Sequence, residues 1–127
     1  MAPPMKSILL VEDHADIRRL VRMTLEFEDC QIHEAADAVK GLELARTVRP
    51  HVVLLDVMMP GPINGLDMCR ALKQDDATRH IPVVFLSARG SSADRQAGLA
   101  AGAAAYLVKP FSPMEMLELL GRLGTFR

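Results

Sequence analysis

Five short apolar runs, near residues 7–11, 31–34, 52–56, 82–87 and 105–108, alternate along this chain with stretches of helical period. Alternation of this kind marks repeated βα units, and a strand that returns through a crossover helix must lie parallel to its predecessor. Val52-Val53-Leu54-Leu55 and Pro82-Val83-Val84-Phe85-Leu86 are apolar without a period of two, so both are read as strands covered by helices on each face. The run at 31–34 is shorter of apolar residues and is placed at a sheet edge. A chain of 127 residues has the size of one domain, and no linker or low-complexity tract divides it. The expected fold is α/β: a doubly wound, five-stranded parallel sheet in a single domain, 1–127, with its core over about 6–124.

The intervening segments read as five helices. Ile17, Leu20, Val21 and Leu25 make a core-facing stripe on the first, with Arg18, Arg19, Arg22 and Glu26 toward water. Ala38, Leu42 and Ala45 mark a second helix that ends before Pro50. Leu66 to Lys73 form a third, with Met68, Cys69 and Leu72 inward. The fourth, 92–101, is rich in alanine, stops at Gly102 and has a thin apolar face, so it is expected to be the least firmly anchored. Ser112-Pro113-Met114-Glu115 is a capping box with proline in the first turn, which fixes the start of the fifth. Met114, Met116, Leu117, Leu119, Leu120 and Leu123 cover more of that helix than one stripe requires, leaving apolar surface for a partner or a second copy.

Three strand-length runs stop on charge: Ile8-Leu9-Leu10-Val11 at Glu12-Asp13, Val52-Val53-Leu54-Leu55 at Asp56, and Tyr106-Leu107-Val108 at Lys109-Pro110. In a parallel sheet these ends share one edge. Carboxylates crowded to about 4 Å repel by about 4 kcal/mol at an effective dielectric near 20, so such an edge calls for a cation or a raised pKa. Mg²⁺ suits it, taking oxygen ligands from one or two carboxylates together with phosphate oxygens. No D-x-D-x-D-G loop favours calcium. Asp56, ending the most apolar strand, is the candidate nucleophile toward phosphorus, Lys109 the cation beside it, and Ser87 a hydroxyl donor next to the small Ala88.

Taken in order, Leu10-Val11-Glu12-Asp13, Leu54-Leu55-Asp56-Val57-Met58-Met59-Pro60-Gly61, Leu86-Ser87-Ala88 and Ala101-Gly102-Ala103 with Tyr106-Leu107-Val108-Lys109-Pro110-Phe111 resemble the receiver domain of two-component response regulators. The resemblance covers essentially the whole chain. It implies a flavodoxin-like (receiver) fold with strand order 2-1-3-4-5. It implies that Asp56 is a phosphoacceptor taking its phosphoryl group from a histidine kinase or histidine phosphotransfer protein. Asp13, Asp56 and the backbone carbonyl of Met58 would ligate Mg²⁺, with Glu12 acting through a water. Lys109 would pair with the phosphate across a cis peptide to Pro110, while Ser87 and Tyr106 would switch the surface that a downstream protein reads. The implied protein is a stand-alone regulator with at most slow autophosphatase activity rather than an enzyme. Two features depart from the family pattern: Pro60-Gly61-Pro62-Ile63-Asn64-Gly65 is one residue longer, and Met58 and Arg89 flank the path of a hydrolytic water. Met58 is expected to slow loss of the phosphoryl group.

Fifteen basic against sixteen acidic residues give a net charge of -1, which offers nothing to nucleic acid or an anionic membrane. Cys30 and Cys69 lack metal-ligand spacing and read as reduced thiols. Four aliphatics before Glu12 are too few for a signal peptide, so a cytoplasmic location is expected. His14 is expected to be exposed rather than ligating, and His33, His51 and His80 form no constellation. A haloacid-type phosphatase would need Asp-x-Asp where Asp13-His14-Ala15 stands, and a flavodoxin would need a phosphate loop where Glu12-Asp13 repel phosphate.

Overall fold

The computed structural model describes residues 6–125. The expectation about a leader before Lys6 lies outside those residues. Ten elements alternate without exception: β1 (Lys6–Val11), α1 (Ala15–Thr24), β2 (Cys30–Ala35), α2 (Ala38–Val48), β3 (Val52–Asp56), α3 (Gly65–Gln74), β4 (Val83–Ser87), α4 (Ser92–Ala100), β5 (Ala105–Val108) and α5 (Pro113–Arg122). The sheet is parallel throughout, in the order β2-β1-β3-β4-β5. The polar run at 31–34 is indeed an edge strand, and the two apolar runs without alternation are buried at every position of β3 and β4.

Alternate side chains of the sheet feed two separate cores. Leu9, Val11, Val53, Leu55, Val83 and Phe85 pack on one face with Met68, Cys69 and Leu72 of α3 and Ala38 and Ala45 of α2. Ile8, Leu10, Leu54, Val84, Leu86 and Leu107 pack on the other with Val21 of α1, Leu25 just after it, and Met116 and Leu120 of α5. Asp37, Asn64, Ser91 and Ser112 cap α2 to α5 by accepting the N–H three residues on, and the foreseen box at Ser112 is matched by one at Asn64 and Asp67. In α4 only Gly98 is buried, in keeping with its thin apolar face.

Helix α1 departs from its expected stripe. Leu20 is 41% exposed, whereas the Arg18 side chain is only 24% exposed. At 3.6 residues per turn, Arg18 lies about 40° from the midline of buried Val21 and Leu25, and Leu20 about 120° away. The arginine therefore belongs to the covered arc and the leucine to the open one.

Candidate functional site

Register brings the charged run ends together. Val11 stands beside Leu55 and Asp56 beside Leu86, so Glu12 and Asp56 emerge abreast from β1 and β3, with Ser87 one residue further along on β4. The Glu12 N–H continues the ladder outward to Ala35 O (3.0 Å), and the Lys109 N–H donates to Ser87 O (2.7 Å). Both bonds carry sheet order one residue past the strands and aim the side chains. On the loop side, α3 starts hard against the end of β3: Gly65 N–H donates to Val57 O at 2.9 Å, and a Cβ on Gly65 would run into the Asp56 carbonyl oxygen. The longer 60–65 loop thus closes on a glycine because no side chain fits there.

Glu12 is fully buried, and Asp56 and Ser87 nearly so. Lys109 Nζ lies 2.9 Å from Glu12 Oε2 and 3.7 Å from Asp56 Oδ2, so one ammonium faces two carboxylates. Met58 N–H donates to Asp56 Oδ1 (3.3 Å). The Ser87 hydroxyl accepts from Arg89 N–H at 3.0 Å. A cavity of about 230 Å³ opens over the group, lined by Asp56, Met58, Ser87, Arg89 and Lys109 with His14 at its rim. The peptide between Lys109 and Pro110 is cis.

One ammonium does not neutralise this cluster. Burial, and then the Glu12 charge, push the Asp56 carboxyl up to about 7, while Lys109 and the Met58 N–H pull it the other way. Ligand atoms of Glu12, Asp13, His14 and Asp56 lie within 4.8 Å of one another, and Asp13 Oδ1 is buried without a hydrogen-bond partner. A buried carboxylate oxygen that accepts no hydrogen bond, set among other carboxylates, fits a hard divalent cation. His14 is exposed as expected, yet its Nδ1 sits 2.9 Å from Glu12 Oε1 and 3.2 Å from Asp13 Oδ1. The hydrogen bond to Glu12, followed by the charges of Asp13 and Glu12, raises the imidazole pKa.

Tyr106 is half-buried on β5. Its hydroxyl donates to Arg89 O at 2.7 Å, its ring packs obliquely on Phe85 with centroids 6.2 Å apart, and the Arg95 guanidinium lies 5.9 Å above it. Gly98 of α4 leaves it room, since a Cβ there would come within 2.9 Å of the ring. Met58, which lines the cavity, is 49% exposed. Two contacts of the cluster escaped the sequence reading. One is the bond between the exposed His14 ring and Glu12; the other is made by Arg18, whose Nη1 donates to Glu12 O at 2.7 Å. The signal for Arg18 is which arc α1 buries, and the apolar spacing of that helix alone leaves the arc open.

Among the described residues no helix is long and apolar enough to cross a membrane. Residues 8–121 match the family model described as the response regulator receiver domain. The transcriptional regulatory protein ResD of Bacillus subtilis is 42% identical over 87% of this chain and 44% of its own length. The phosphate regulon transcriptional regulatory protein PhoB of Klebsiella pneumoniae is 44% identical over 88% of this chain and 48% of its own. The chain therefore spans about half the length of the curated relatives it matches. Among solved structures, the chemotaxis protein CheY4 of Vibrio cholerae superposes with a TM-score of 0.86 at 33% identity, over 94% of this chain and 98% of that one. A family match across most of the chain, the shared strand order and the acid-lysine edge agree: this chain belongs to the response regulator receiver domain family.

Proposed function

We propose that the chain is a phosphoacceptor signalling module in which Asp56 receives a phosphoryl group from a histidine kinase or histidine phosphotransfer protein. The observation that carries this is Asp56 itself: a buried carboxylate at the mouth of a cavity, 3.7 Å from one ammonium and crowded by two further carboxylates. Asp13 and Asp56, with the Met58 backbone carbonyl, would hold Mg²⁺, and Glu12 would reach it through a water. The bound ion supplies charge neutralisation for the transferring oxygens. An Asp56 carboxylate oxygen attacks phosphorus, the P–O bond forms, and the P–N bond to the donor imidazole breaks with its electron pair leaving on nitrogen. Lys109 then exchanges part of its pairing with Glu12 for the new phosphoryl oxygens, and Ser87 donates its hydroxyl to another.

The product is read by a population shift at α4, β5 and α5, with Ser87 and Tyr106 as the moving parts. The apolar surface of α5, where Met114 is 65% exposed, suits a downstream protein or a second copy of the chain. Free Cys30 and Cys69 accord with the reducing cytoplasm. We treat residues 1–127 as one receiver unit, a regulator with at most slow autophosphatase activity.

The test is incubation with acetyl phosphate, with and without Mg²⁺, followed by intact mass. One phosphoryl group should appear only with Mg²⁺ and vanish in Asp56→Asn. Labelling that persists in Asp56→Asn would sink the assignment. With exposed Met58 screening the cavity, Met58→Asn should shorten the phosphoryl half-life several-fold in the same assay.

A further inference from the structure

The peptide that leads into Asp13 is held by the side chain of Arg18, while the Asp13 carboxylate itself has only the exposed His14 ring beside it. Arg18 donates through its backbone N–H to His14 O at 3.1 Å and through Nη1 to Glu12 O at 2.7 Å. Its own position is set from the neighbouring strand, because Arg18 Nε lies 3.6 Å from Glu34 Oε1 on β2. The Glu12 N–H is fixed by the same strand through Ala35 O at 3.0 Å. His14 stands at the N-cap of α1 without capping it, so the turn that carries Asp13 lacks the side-chain cap found on the other four helices and is closed instead by Glu12, whose Oε1 accepts from the His14 N–H at 3.3 Å.

We propose that Arg18 is a positioning residue for cation binding, its guanidinium gripping the Glu12 carbonyl so that the Asp13 carboxylate that follows is presented in one geometry. The inference rests on the reading of Asp13 as a cation ligand. Mg²⁺ demands near-ideal octahedral geometry, so a donor free to wander binds it poorly. Partners behind a metal ligand commonly matter by ten- to a hundredfold in affinity. Arg22 supplies an internal control, since it pairs with the same Glu34 but does not touch Glu12.

Mg²⁺ is titrated into the parent chain and into Arg18→Ala, Arg18→Lys, Arg22→Ala and Asp13→Asn. Affinity is read by calorimetry and amide chemical shifts, and folding by thermal melts. Arg18→Ala should bind Mg²⁺ about tenfold more weakly while folded. Arg18→Lys should recover part of the loss, and Arg22→Ala should keep the parent affinity. Unchanged affinity in Arg18→Ala, or an equal loss in Arg22→Ala, overturns the positioning role even if Asp13→Asn abolishes binding. If the alanine variant does not fold, Arg18→Gln decides in its place by the same criterion. Should the parent bind no Mg²⁺, or Asp13→Asn bind it undiminished, the cation reading itself fails and this inference with it.

Discussion

The two sides of the cavity are built differently. On the β1–β3 side the backbone beneath the carboxylates is fixed: Glu12 is bonded at both backbone ends, Glu12 and Asp56 share the Lys109 ammonium, and α3 abuts β3 at Gly65. On the β4–β5 side α4 rests on one buried glycine, Leu99 is 52% exposed, and Tyr106 is tied to the β4–α4 loop by a single hydroxyl. The lesson is a division of labour. Phosphoryl chemistry needs groups that do not move, and a readout needs an element with little free energy holding it in place.

The sharpest way to break the contrast is to disturb the fixed side. Gly65→Ala forces a Cβ into backbone that has no room to yield, and it should cost at least about 2 kcal/mol in a denaturant titration. A cost under about 0.5 kcal/mol would show that the α3–β3 junction is soft after all.

A second probe measures the electrostatic tension on that side. The folded-state pKa of Asp56 is raised to about 7 from an ordinary value near 3.8, so its stabilising contribution is complete below the ordinary value and is lost as pH rises through 7. In metal-free buffer at pH 8 the parent therefore carries an ionised, unfavourable carboxylate. Asp56→Asn should raise Tm there by about 5 °C, roughly 1 kcal/mol for a chain this size. The gain should fade toward pH 4 and shrink in excess Mg²⁺. A gain independent of pH would remove the tension as its cause.

The smallest effect belongs to the loose side. Leu99→Ala should alter stability by no more than about 0.5 kcal/mol, because the side chain is mostly in water. A loss like that of a core leucine, about 2–5 kcal/mol, would mean that α4 is anchored as firmly as its neighbours.

Legibility in the sequence followed the range of the interactions. The strands, the fifth helix with its box and the glycine ending α4 depend on residues close in the chain, and they fall where local pattern puts them. Glu12, Asp56 and Lys109 could be named because each closes an apolar run, and parallel topology converts that position into proximity. Arg18, Leu20 and Gly65 could not be placed by a local count. The arc that α1 buries is set by α5 and the sheet beneath it, and the need for glycine at 65 is set by a carbonyl nine residues earlier. The contact of the His14 ring escaped for a related reason: the ring turns back to Glu12 rather than serving the helix it begins.

Tyr106 and Leu107 are consecutive on β5, yet the first packs with the core under α2 and α3 and the second with the core under α1 and α5. A small roll of this edge strand about its own axis would therefore press into one layer while withdrawing from the other. Two binders on opposite faces would receive complementary messages from a single event, one surface advancing as its counterpart recedes.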